Sequence, residues 1–445
     1  MSLADQASLL LIPTGYKSQK VYSIFPTDGD GDFDFSRSSS ATRIAKNGLI
    51  TTVAANVPRL NYPLIDGVVN GCPSLLLEPQ RTNLLEYSED FSQSVWGKIS
   101  INTEIISNNS ISPNGSLNSD KLNASATYGG LLGFQDGFSV QSGSDYSVSF
   151  FAKKGNLKYL QLFHGGSQVV GNARTNFDLE NGIVAVSDSG HDASIENYGN
   201  GWFRCIVSLG ALSTTLQLYF NAVKDANAIR SSSSNFNEND NLFIWGVQLE
   251  EGDYPTSYIP TNGTSVTRLA ETANGAGNAD TFNDSEGVLM AESKALANDE
   301  TSRVIACISN GSSSLNRLVL QYTNLVGGNE IVAFAQTPSG YSSVLTVGIA
   351  NALEYNKFAV VYDDSQNNFD LWVNGEKLGN GSFNYSFTPS ELNTIKFAGV
   401  TSNPLYGKIK QLQYHNSALT DSELETLTSW DSFIDMATSQ LYTIQ

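Results

Sequence analysis

Near the start of the chain lies an alternating run of aspartates, DGDGDFD, that begins at Asp28. Carboxylate oxygens at this spacing can converge on a hard cation such as Ca²⁺. An EF-hand loop needs Gly at its sixth position and Glu at its twelfth. Counting from Asp28, these positions hold Phe33 and Ser39. The run therefore has two interpretations: a solvated acidic turn, which is favoured, and a calcium site of another kind at Asp28, Asp30 and Asp32.

Glycoside hydrolysis needs two carboxylates that face one cleft, one of them acting as a general acid. Residues two apart on a strand share a face, whereas neighbours point to opposite faces. The sequence has no E-x-D-x-x-E pattern, and Glu250 and Glu251 are direct neighbours. We therefore interpret these two glutamates as a solvated strand end, and we expect no catalytic residue and no enzymatic activity.

The histidines and cysteines show no catalytic or metal-binding spacing. The three histidines are His164, His191 and His415. None of them has a second His, Cys or acid at the spacing of zinc ligands, and the sequence has no G-x-S-x-G motif that would indicate a catalytic triad. The cysteines are odd in number and far apart, which predicts free thiols rather than disulfides: they are Cys72, Cys205 and Cys307.

Aromatic rings and polar side chains near turns are the residue types that hold sugars. A pyranose has an apolar face that stacks on an aromatic ring, and a few polar groups then fix its orientation. By this criterion the candidates for carbohydrate binding are Tyr159, His164, Tyr198 and Trp202. The alternative for each of them is packing in a core or a turn.

Net charge and composition exclude several classes of function. The 445 residues include 25 Lys and Arg against 44 Asp and Glu, a formal net charge of −19. So acidic a surface repels nucleic acids, and no nucleic-acid partner is expected. No apolar stretch approaches the ~20 residues that span a bilayer, so no membrane insertion is expected. The N-terminus lacks the pattern of a signal peptide, and we expect folding in the cytoplasm.

The backbone signals are those of antiparallel sheets. Only 16% of residues are charged, and Ser, Thr, Asn, Gly and aromatic residues provide much of the remainder. This mixture favours short strands joined by turns. Asn-Gly closes two-residue hairpins, and it occurs between strand-like segments at 47–48, 181–182 and 374–375. Alternating apolar residues at 146–150 and 243–249 predict half-buried strands.

One α-helix is predicted near the C-terminus. Thr420 and Glu423 have the spacing of a capping box, and Leu419 and Leu424 that of a hydrophobic staple. Leu427 continues the apolar stripe of this helix. The predicted fold class is therefore all-β, with tandem β-sandwiches and one short C-terminal helix.

Changes in composition divide the chain into five parts. Residues 1–82 have strand signals but no closed pattern, so we expect them to need partners and to act as an attachment or oligomerisation segment. Residues 83–270 hold a dense set of strands. Residues 271–280 are rich in Gly and Asn, which predicts a linker. Residues 281–430 hold a second set of strands that ends in the helix, and residues 431–445 form a tail.

Several segments resemble those of fibre and spike proteins of tailed bacteriophages. The opening segment is PRLNY at 58–62 with CPSLLLEPQRTNL at 72–84. The segments that resemble a carbohydrate-binding-module-like jelly roll are YSEDF at 87–91, FFAK at 150–153, GNGWFR at 199–204, WGVQLEEG at 245–252 and PTSYIPT at 255–261. Those that resemble a concanavalin A/laminin G-like sandwich are FNDSEGVL at 282–289, DLWVNG at 370–375 and ALTDSEL at 418–424.

The resemblance implies a structural protein of the virion, a head or tail fibre or spike subunit displayed on the particle. It implies binding to host-surface glycans and a homo-oligomer, expected to be a trimer, that contacts other virion proteins through residues 1–82. One alternative is a cell-surface or secreted glycan-binding adhesin, against which the missing signal peptide argues. Another is a polysaccharide depolymerase, which would need the carboxylate pair that the sequence lacks.

Overall fold

The computed structural model describes most of the chain, and every structural statement below concerns these parts: residues 2–98, 103–124, 131–134, 137–165, 167–230, 236–237, 240–299, 301–323, 329–338, 340–400 and 402–430. Antiparallel strands dominate them, and the α-helix has eight residues. The predicted all-β class is confirmed. The tail, residues 431–445, lies outside the described residues.

Short strands open the chain: β1 (Leu9–Leu11), β2 (Tyr16–Lys17), β3 (Lys20–Val21), β4 (Phe33–Ser36), β5 (Ala41–Ile44), β6 (Ile50–Val53), β7 (Leu60–Asn61), β8 (Leu64–Ile65), β9 (Val68–Val69) and β10 (Ser74–Leu77). A denser set follows: β11 (Arg81–Asn83), β12 (Trp96–Lys98), β13 (Thr103–Ile111), β14 (Leu117–Ala124), β15 (Leu131–Phe134), β16 (Phe138–Ser139), β17 (Asp145–Lys154), β18 (Tyr159–His164), β19 (Arg174–Asp178), β20 (Ile183–Ser187), β21 (Asp192–Asn197), β22 (Trp202–Gly210), β23 (Thr215–Leu216), β24 (Leu218–Val223), β25 (Asp240–Glu251) and β26 (Val266–Arg268).

The last set is β27 (Thr272–Ala276), β28 (Glu286–Ala295), β29 (Arg303–Ser309), β30 (Arg317–Thr323), β31 (Glu330–Thr337), β32 (Gly340–Gly348), β33 (Asn356–Asp363), β34 (Asn368–Val373), β35 (Glu376–Gly381), β36 (Thr394–Lys396) and β37 (Gly407–His415), followed by α1 (Asp421–Thr428). Single 3₁₀ turns lie at Ala4–Gln6 and Val170–Asn172. Among the described residues, no helix has the length and apolarity to cross a membrane.

Two six-stranded antiparallel sheets form the first sandwich. One sheet has the order β12-β15-β24-β18-β19-β20, and the other has β13-β14-β25-β17-β22-β21. Their shared core is aromatic at its centre, where the ring of Phe150 lies 5.7 Å from that of Phe177 and 5.0 Å from that of Phe220, both edge to face. The alternating strands predicted at 146–150 and 243–249 lie in β17 and β25.

These two strands are buried on both faces, not on one as predicted. Ser147 and Ser149 of β17 are as buried as the apolar residues between which they alternate. The outer face of their sheet is covered by a second, smaller core that includes Phe151, Trp245 and Tyr258. The serines are small enough to fit beneath this cover, which is supplied by distant parts of the chain.

A second sandwich is assembled from segments on both sides of the first. Its eight-stranded sheet has the order β35-β34-β33-β28-β37-β10-β7, and β1 also pairs with β37. Its nine-stranded sheet has the order β2-β3-β4-β27-β36-β29-β30-β31-β32. Leu9, Leu75 and Leu77 are fully buried in the core between these sheets. The first sandwich is thus inserted into the second.

This topology changes two expectations. Residues 1–82 bury their apolar side chains within the same chain, so they need no partner for that purpose. The predicted linker, 271–280, contains β27, which pairs with β4 and β36 in the middle of the nine-stranded sheet. Its glycine serves a bulge instead of a flexible connection, because the register shifts between Asn274 and Ala276, where Gly275 has a φ of 82°.

All three Asn-Gly pairs lie in the connections of hairpins, namely β5–β6, β19–β20 and β34–β35. Only Asn374 and Gly375 both have positive φ, 50° and 89°, as a type I′ two-residue turn requires. The other two hairpin connections are longer than two residues, because the strand pairs that flank them are Ile44 with Ile50 and Asp178 with Ile183.

The predicted capping box of α1 is confirmed. The Thr420 hydroxyl accepts from Glu423 N, and a Glu423 carboxylate oxygen accepts from Thr420 N at 2.9 Å. Leu424 and Leu427 pack on the outer face of the eight-stranded sheet, against a patch that includes Trp372. The helix covers one part of that outer face, and another part, on β10, β28 and β37, lines the cavity described next.

Candidate binding cavity at the junction of the two sandwiches

The chain enters and leaves the inserted sandwich through β11 and β26, which pair with each other. Beside them lies a buried cluster of charges, which we call the junction network: Arg37, Arg59, Glu78, Arg268 and Glu271. Its carboxylates each meet two guanidinium groups. Glu271 accepts from Arg37 Nη1 at 2.6 Å and from Arg59 Nε at 2.8 Å. Glu78 lies 2.7 Å from nitrogens of Arg59 and Arg268.

Glu78 is held in its charged form. Burial alone would raise the pKa of Glu78, but the guanidinium groups of Arg268 and Arg59 lower it well below its usual range. Ser257 adds hydrogen bonds to Glu78 from its amide at 2.8 Å and its hydroxyl at 2.6 Å. Three segments with the family resemblance therefore meet here and contribute side chains to one buried cluster: 58–62, 72–84 and 255–261.

A cavity of about 1350 Å³ opens beside the junction network. One wall is the outer face of the eight-stranded sheet, the opposite wall belongs to β21 and β22 of the inserted sandwich, and the β5–β9 region closes a third side. Its aromatic lining residues are Tyr62, Tyr198, Phe203, Tyr258, Tyr355 and Trp430. A concave site with mixed aromatic and polar walls is the usual form of a ligand pocket.

The sheet wall carries lysines around one aromatic ring. The ammonium of Lys410 lies 4.1 Å from the centroid of the Tyr355 ring, and that of Lys294 lies 5.6 Å from it. Lys410 also pairs with Glu292 at 3.3 Å. Lys408 is the Cα partner of Lys294 across β28 and β37. This wall is therefore cationic, although the chain as a whole is strongly acidic.

Burial and like charges perturb the lysines of this wall. The pKa of Lys294 is lowered to about 7, first by burial and then by the ammonium of Lys408, while Glu196 and Glu354 act in the opposite direction. The pKa of Lys408 is also lowered, chiefly by burial. Loss of hydration and a neighbouring charge of the same sign both disfavour an ammonium ion.

Tyr198 is the one predicted sugar-binding residue among those that line the cavity. Its ring stands edge to face against Phe151, with 4.9 Å between centroids. Burial, reinforced by Glu196, raises the pKa of its hydroxyl to about 12, so the hydroxyl stays protonated and can donate a hydrogen bond. At another side of the cavity, the ammonium of Lys357 lies 4.7 Å from the ring of Trp430.

The other predicted sugar-binding residues lie outside the cavity lining. Trp202 is 1% exposed, and its indole nitrogen donates to the Ile111 carbonyl at 2.8 Å, so it has no open face for a sugar. His164 is 0% exposed, and burial lowers its pKa to about 4. Tyr159 is half-buried, under the ammonium of Lys158. Trp202 and His164 are therefore corrected from contact residues to core residues.

His164 shares the inner face of β18 with Leu160 and Leu162, and its ring lies 5.6 Å from that of His191. A loop covers the opposite face of this strand. Polar side chains of the β18–β19 sheet face bind the backbone of residues 226–229: Gln161 donates to the Ala228 carbonyl at 3.2 Å, and Asn176 donates to it at 2.9 Å. Arg230, at the end of this loop, donates to the His164 carbonyl and lies over the Phe163 ring. That face is occupied by the chain itself.

The described residues do not form the alternative calcium site at Asp28, Asp30 and Asp32. Asp28 caps a turn by accepting from Asp30 N at 3.0 Å, and Asp32 accepts from Ser23 N at 3.0 Å. Asp30 accepts instead from the Asn278 amide at 2.5 Å. Within the described ranges, no three His, Cys, Asp or Glu side chains are grouped so as to hold a metal ion. The three aspartates are separately engaged and do not converge.

Glu250 and Glu251 point to opposite faces, as their adjacency predicts, but only Glu251 is exposed. Glu250 is fully buried, accepts from Thr256 N at 2.8 Å and from Gln248 Nε2 at 2.6 Å, and has a pKa that burial raises. The predicted solvated strand end is therefore wrong for Glu250. Thr256 belongs to the 255–261 segment, which folds back over the strand, and Gln248 lies on the strand itself.

The solved structures that are similar to this chain share little sequence with it. No protein-family profile matches the chain, and no curated protein has a matching sequence. Among solved structures, the CBM40 module of the Ruminococcus gnavus IT-sialidase bound to alpha2,3 sialyllactose is 18% identical at a TM-score of 0.30, over 35% of this chain and 88% of that one. A leech intramolecular trans-sialidase is 18% identical at 0.29, over 34% of this chain and 24% of that one.

A SAP-like pentraxin from Limulus polyphemus is 12% identical at a TM-score of 0.28, over 33% of this chain and 71% of that one. Each alignment covers about a third of the chain. At this level of similarity the neighbours assign neither a function nor a ligand to it.

Proposed function

We propose that this chain is a structural subunit of a bacteriophage virion, a head or tail fibre or spike, that binds a host-surface glycan in the cavity without hydrolysing it. The cavity itself carries the proposal of binding. Its volume of about 1350 Å³ exceeds the ~300–1,000 Å³ of ordinary ligand pockets, so it has room for several sugar rings.

The lining suits a carbohydrate because apolar faces and hydrogen-bonding groups alternate along it. The rings of Tyr62, Tyr198 and Trp430 are each half-buried, so part of each ring can meet a ligand. Between them lie side-chain amides, which both donate and accept hydrogen bonds, as sugar hydroxyls require: Asn61, Asn70, Asn181, Asn197 and Gln411.

Three of the five carboxylates that line the cavity are held by cations, which favours binding over hydrolysis, and the other two are Asp66 and Glu196. Glu78 is committed to the junction network, Glu180 pairs with Lys158 at 2.7 Å, and Glu292 pairs with Lys410 at 3.3 Å. A general acid must hold a proton near neutral pH and reach the glycosidic oxygen. A carboxylate held by a cation keeps its charge instead.

The virion location and the oligomer rest on the sequence resemblance at 58–62, 72–84 and 255–261. We propose a homotrimer whose contacts use surfaces other than the apolar residues of 1–82, since these residues are buried within the chain. Mass spectrometry of purified particles should find the chain, and light scattering should give the mass of three copies. A monomer that is absent from particles would refute this part of the proposal.

Binding is tested with the purified full-length chain on an array of bacterial surface polysaccharides, beside an assay for newly released reducing ends. We expect binding without release. Tyr198→Ala and Trp430→Ala should each weaken binding about tenfold, the effect of losing one stacking contact. If the chain releases reducing ends, and if replacing a carboxylate of the cavity abolishes this release, the proposal that it does not hydrolyse glycans is wrong.

Tyr159→Ala is the matched control, because Tyr159 is a half-buried tyrosine of the inserted sandwich that does not line the cavity. It should leave glycan binding unchanged. If Tyr159→Ala abolishes binding while Tyr198→Ala and Trp430→Ala do not, the binding site lies on the inserted sandwich and not in the cavity.

A further inference from the structure

We propose that Lys294 and Lys408 form an anion-binding site within the cavity and that it takes the acidic group of a charged sugar. This inference rests on the proposed glycan binding and deepens it by naming the ligand class. The chemistry shared by the possible ligands is a small oxyanion, either a carboxylate on the sugar ring or a sulfate or phosphate substituent.

Strand pairing brings the two ammonium groups together. Lys294 on β28 and Lys408 on β37 are direct Cα partners in an antiparallel ladder, and both side chains line the cavity. Side chains directly opposite one another on a sheet face have Cβ atoms about 4.5–5.5 Å apart. The sheet therefore holds two like charges side by side, an arrangement that is unfavourable without a counter-ion.

A β-bulge adds a third cation to this wall. The register between β28 and β37 shifts from Glu292 opposite Gln411 to Ser293 opposite Ile409, which leaves Lys410 as the extra residue. Bulges change the direction of a side chain, and here the side chain also lines the cavity. Lys410 pairs with Glu292, so this carboxylate is already engaged.

Lys294 and Lys408 differ from Lys410 in their partners. Within the described residues, neither of their ammonium groups makes an ion pair with a carboxylate. Glu196 on β21 and Glu354 before β33 raise the pKa of Lys294 only through longer-range attraction. Glu196 and Glu78 act on Lys408 in the same way, while the positive charges of Arg59 and Arg204 lower its pKa. The lowered pKa values of both lysines agree with a site that lacks its counter-ion.

An oxyanion placed between the two ammonium groups would supply that counter-ion. Each lysine would donate a charge-assisted hydrogen bond to it, about twice as strong as a neutral one. The ring of Tyr355 lies under the Lys294 ammonium and beside the site, so the sugar that carries the oxyanion would meet an aromatic surface. A neutral sugar would leave the two lysines unpaired.

The first test compares matched oligosaccharides that differ in one acidic group, in neutral, uronic acid, sulfated and phosphorylated forms. The full-length chain should bind at least one acidic form about tenfold more tightly than the neutral one, and the form preferred identifies the oxyanion. Lys294→Met and Lys408→Met should each remove this preference, so that these variants bind the acidic and neutral forms equally. Lys17→Met, an exposed lysine outside the cavity, is the matched control and should keep the preference.

The second test needs no glycan. Millimolar sodium sulfate, against sodium chloride at equal ionic strength, should raise the thermal unfolding midpoint of the unaltered chain and of Lys17→Met, but not that of Lys294→Met or Lys408→Met. Equal responses of all four proteins, together with equal binding of neutral and acidic glycans, would overturn the anion site while leaving glycan binding intact. A sulfate response without any glycan binding would instead refute the proposed function and retain the anion site.

Discussion

Arg59 and Glu271, which are 212 residues apart in the sequence, form a buried ion pair in which Arg59 Nε donates to Glu271 Oε1 at 2.8 Å. One residue precedes the inserted sandwich and the other follows it. Their contact joins the host sandwich on the two sides of the insertion and lies next to the cavity, which Glu78 of the same network lines. The stability of the whole chain should therefore depend on it.

Replacing Arg59 by Met should lower the free energy of unfolding by about 3–5 kcal/mol, because it leaves Glu271 and Glu78 buried with too few cations. Urea unfolding followed by tryptophan fluorescence measures the change. The matched control is Glu180→Gln, which removes exposed ion pairs with Lys154 and Lys158 and should leave the unfolding midpoint close to its original value. Equal effects of the two substitutions would contradict a central role for the network.

The same network should make the chain sensitive to acid. The folded-state pKa of Glu78 is lowered below its unfolded value, so the stabilisation is complete above the unfolded pKa and is lost as the pH falls toward the folded one. The unfolding midpoint should therefore drop steeply at pH below about 4. A Glu78→Gln chain should be less stable at neutral pH and should show a shallower drop.

Removal of residues 1–82 should unfold the second sandwich instead of only separating subunits. The deletion takes strands from both of its sheets and exposes the core that receives Leu9, Leu75 and Leu77. Circular dichroism and limited proteolysis of the truncated chain should show loss of that sandwich. As a control, deletion of residues 1–6 removes no strand and should leave the fold in place. A truncated chain that unfolds cooperatively at the original midpoint would contradict this prediction.

Trp202 should prove to be a structural residue. Trp202→Ala should cost about 3–5 kcal/mol of stability, because the indole fills a packed core beside Phe151 and Trp245. Trp202→Phe keeps most of that packing and loses the hydrogen bond to Ile111, so its cost should be nearer to 1 kcal/mol. Glycan binding by the folded Trp202→Phe protein should equal that of the unaltered chain, and a specific loss of binding would restore Trp202 as a contact residue.

Because of Lys294, the free energy of unfolding should increase as the solution becomes mildly alkaline. Its folded-state pKa of about 7 lies below the unfolded value near 10.4, so the unfolded chain holds more protons between these two values. Stability should therefore increase as the pH rises from about 7 to about 10. Lys294→Met should be more stable than the unaltered chain at pH 6, and the difference should shrink by pH 10. Lys17→Met should show no such difference.

Local signals in the sequence predicted local structure well. The capping box of Thr420 and Glu423 and the turn at Asn374 and Gly375 depend on residues that are neighbours in the chain, and both are present. Burial on both faces of β17 could not be predicted in this way. Ser147 and Ser149 are the polar half of a regular alternation. The residues that cover their face include Trp202 and Tyr258, about 50 and 110 positions further along the chain, and Ile50 from its first part.

The candidate site could not be predicted from the sequence, because it too depends on contacts between distant residues. Nothing near Lys294 in the sequence indicates that Lys408 lies opposite it, because their proximity depends on the pairing of β28 with β37. Among the four aromatic candidates, only Tyr198 lines the cavity. The signal that was present is the resemblance at 58–62, 72–84 and 255–261, which marks the junction where these distant segments meet.

The pairing of β11 with β26 places the two ends of the inserted sandwich next to each other, with Arg81 opposite Arg268. Such an arrangement lets one module be exchanged for another of different shape, provided that the neighbouring strand ends and the 255–261 segment are retained. Recombination at these two points would replace one wall of the cavity in a single genetic event, while the lysine-bearing wall is inherited unchanged.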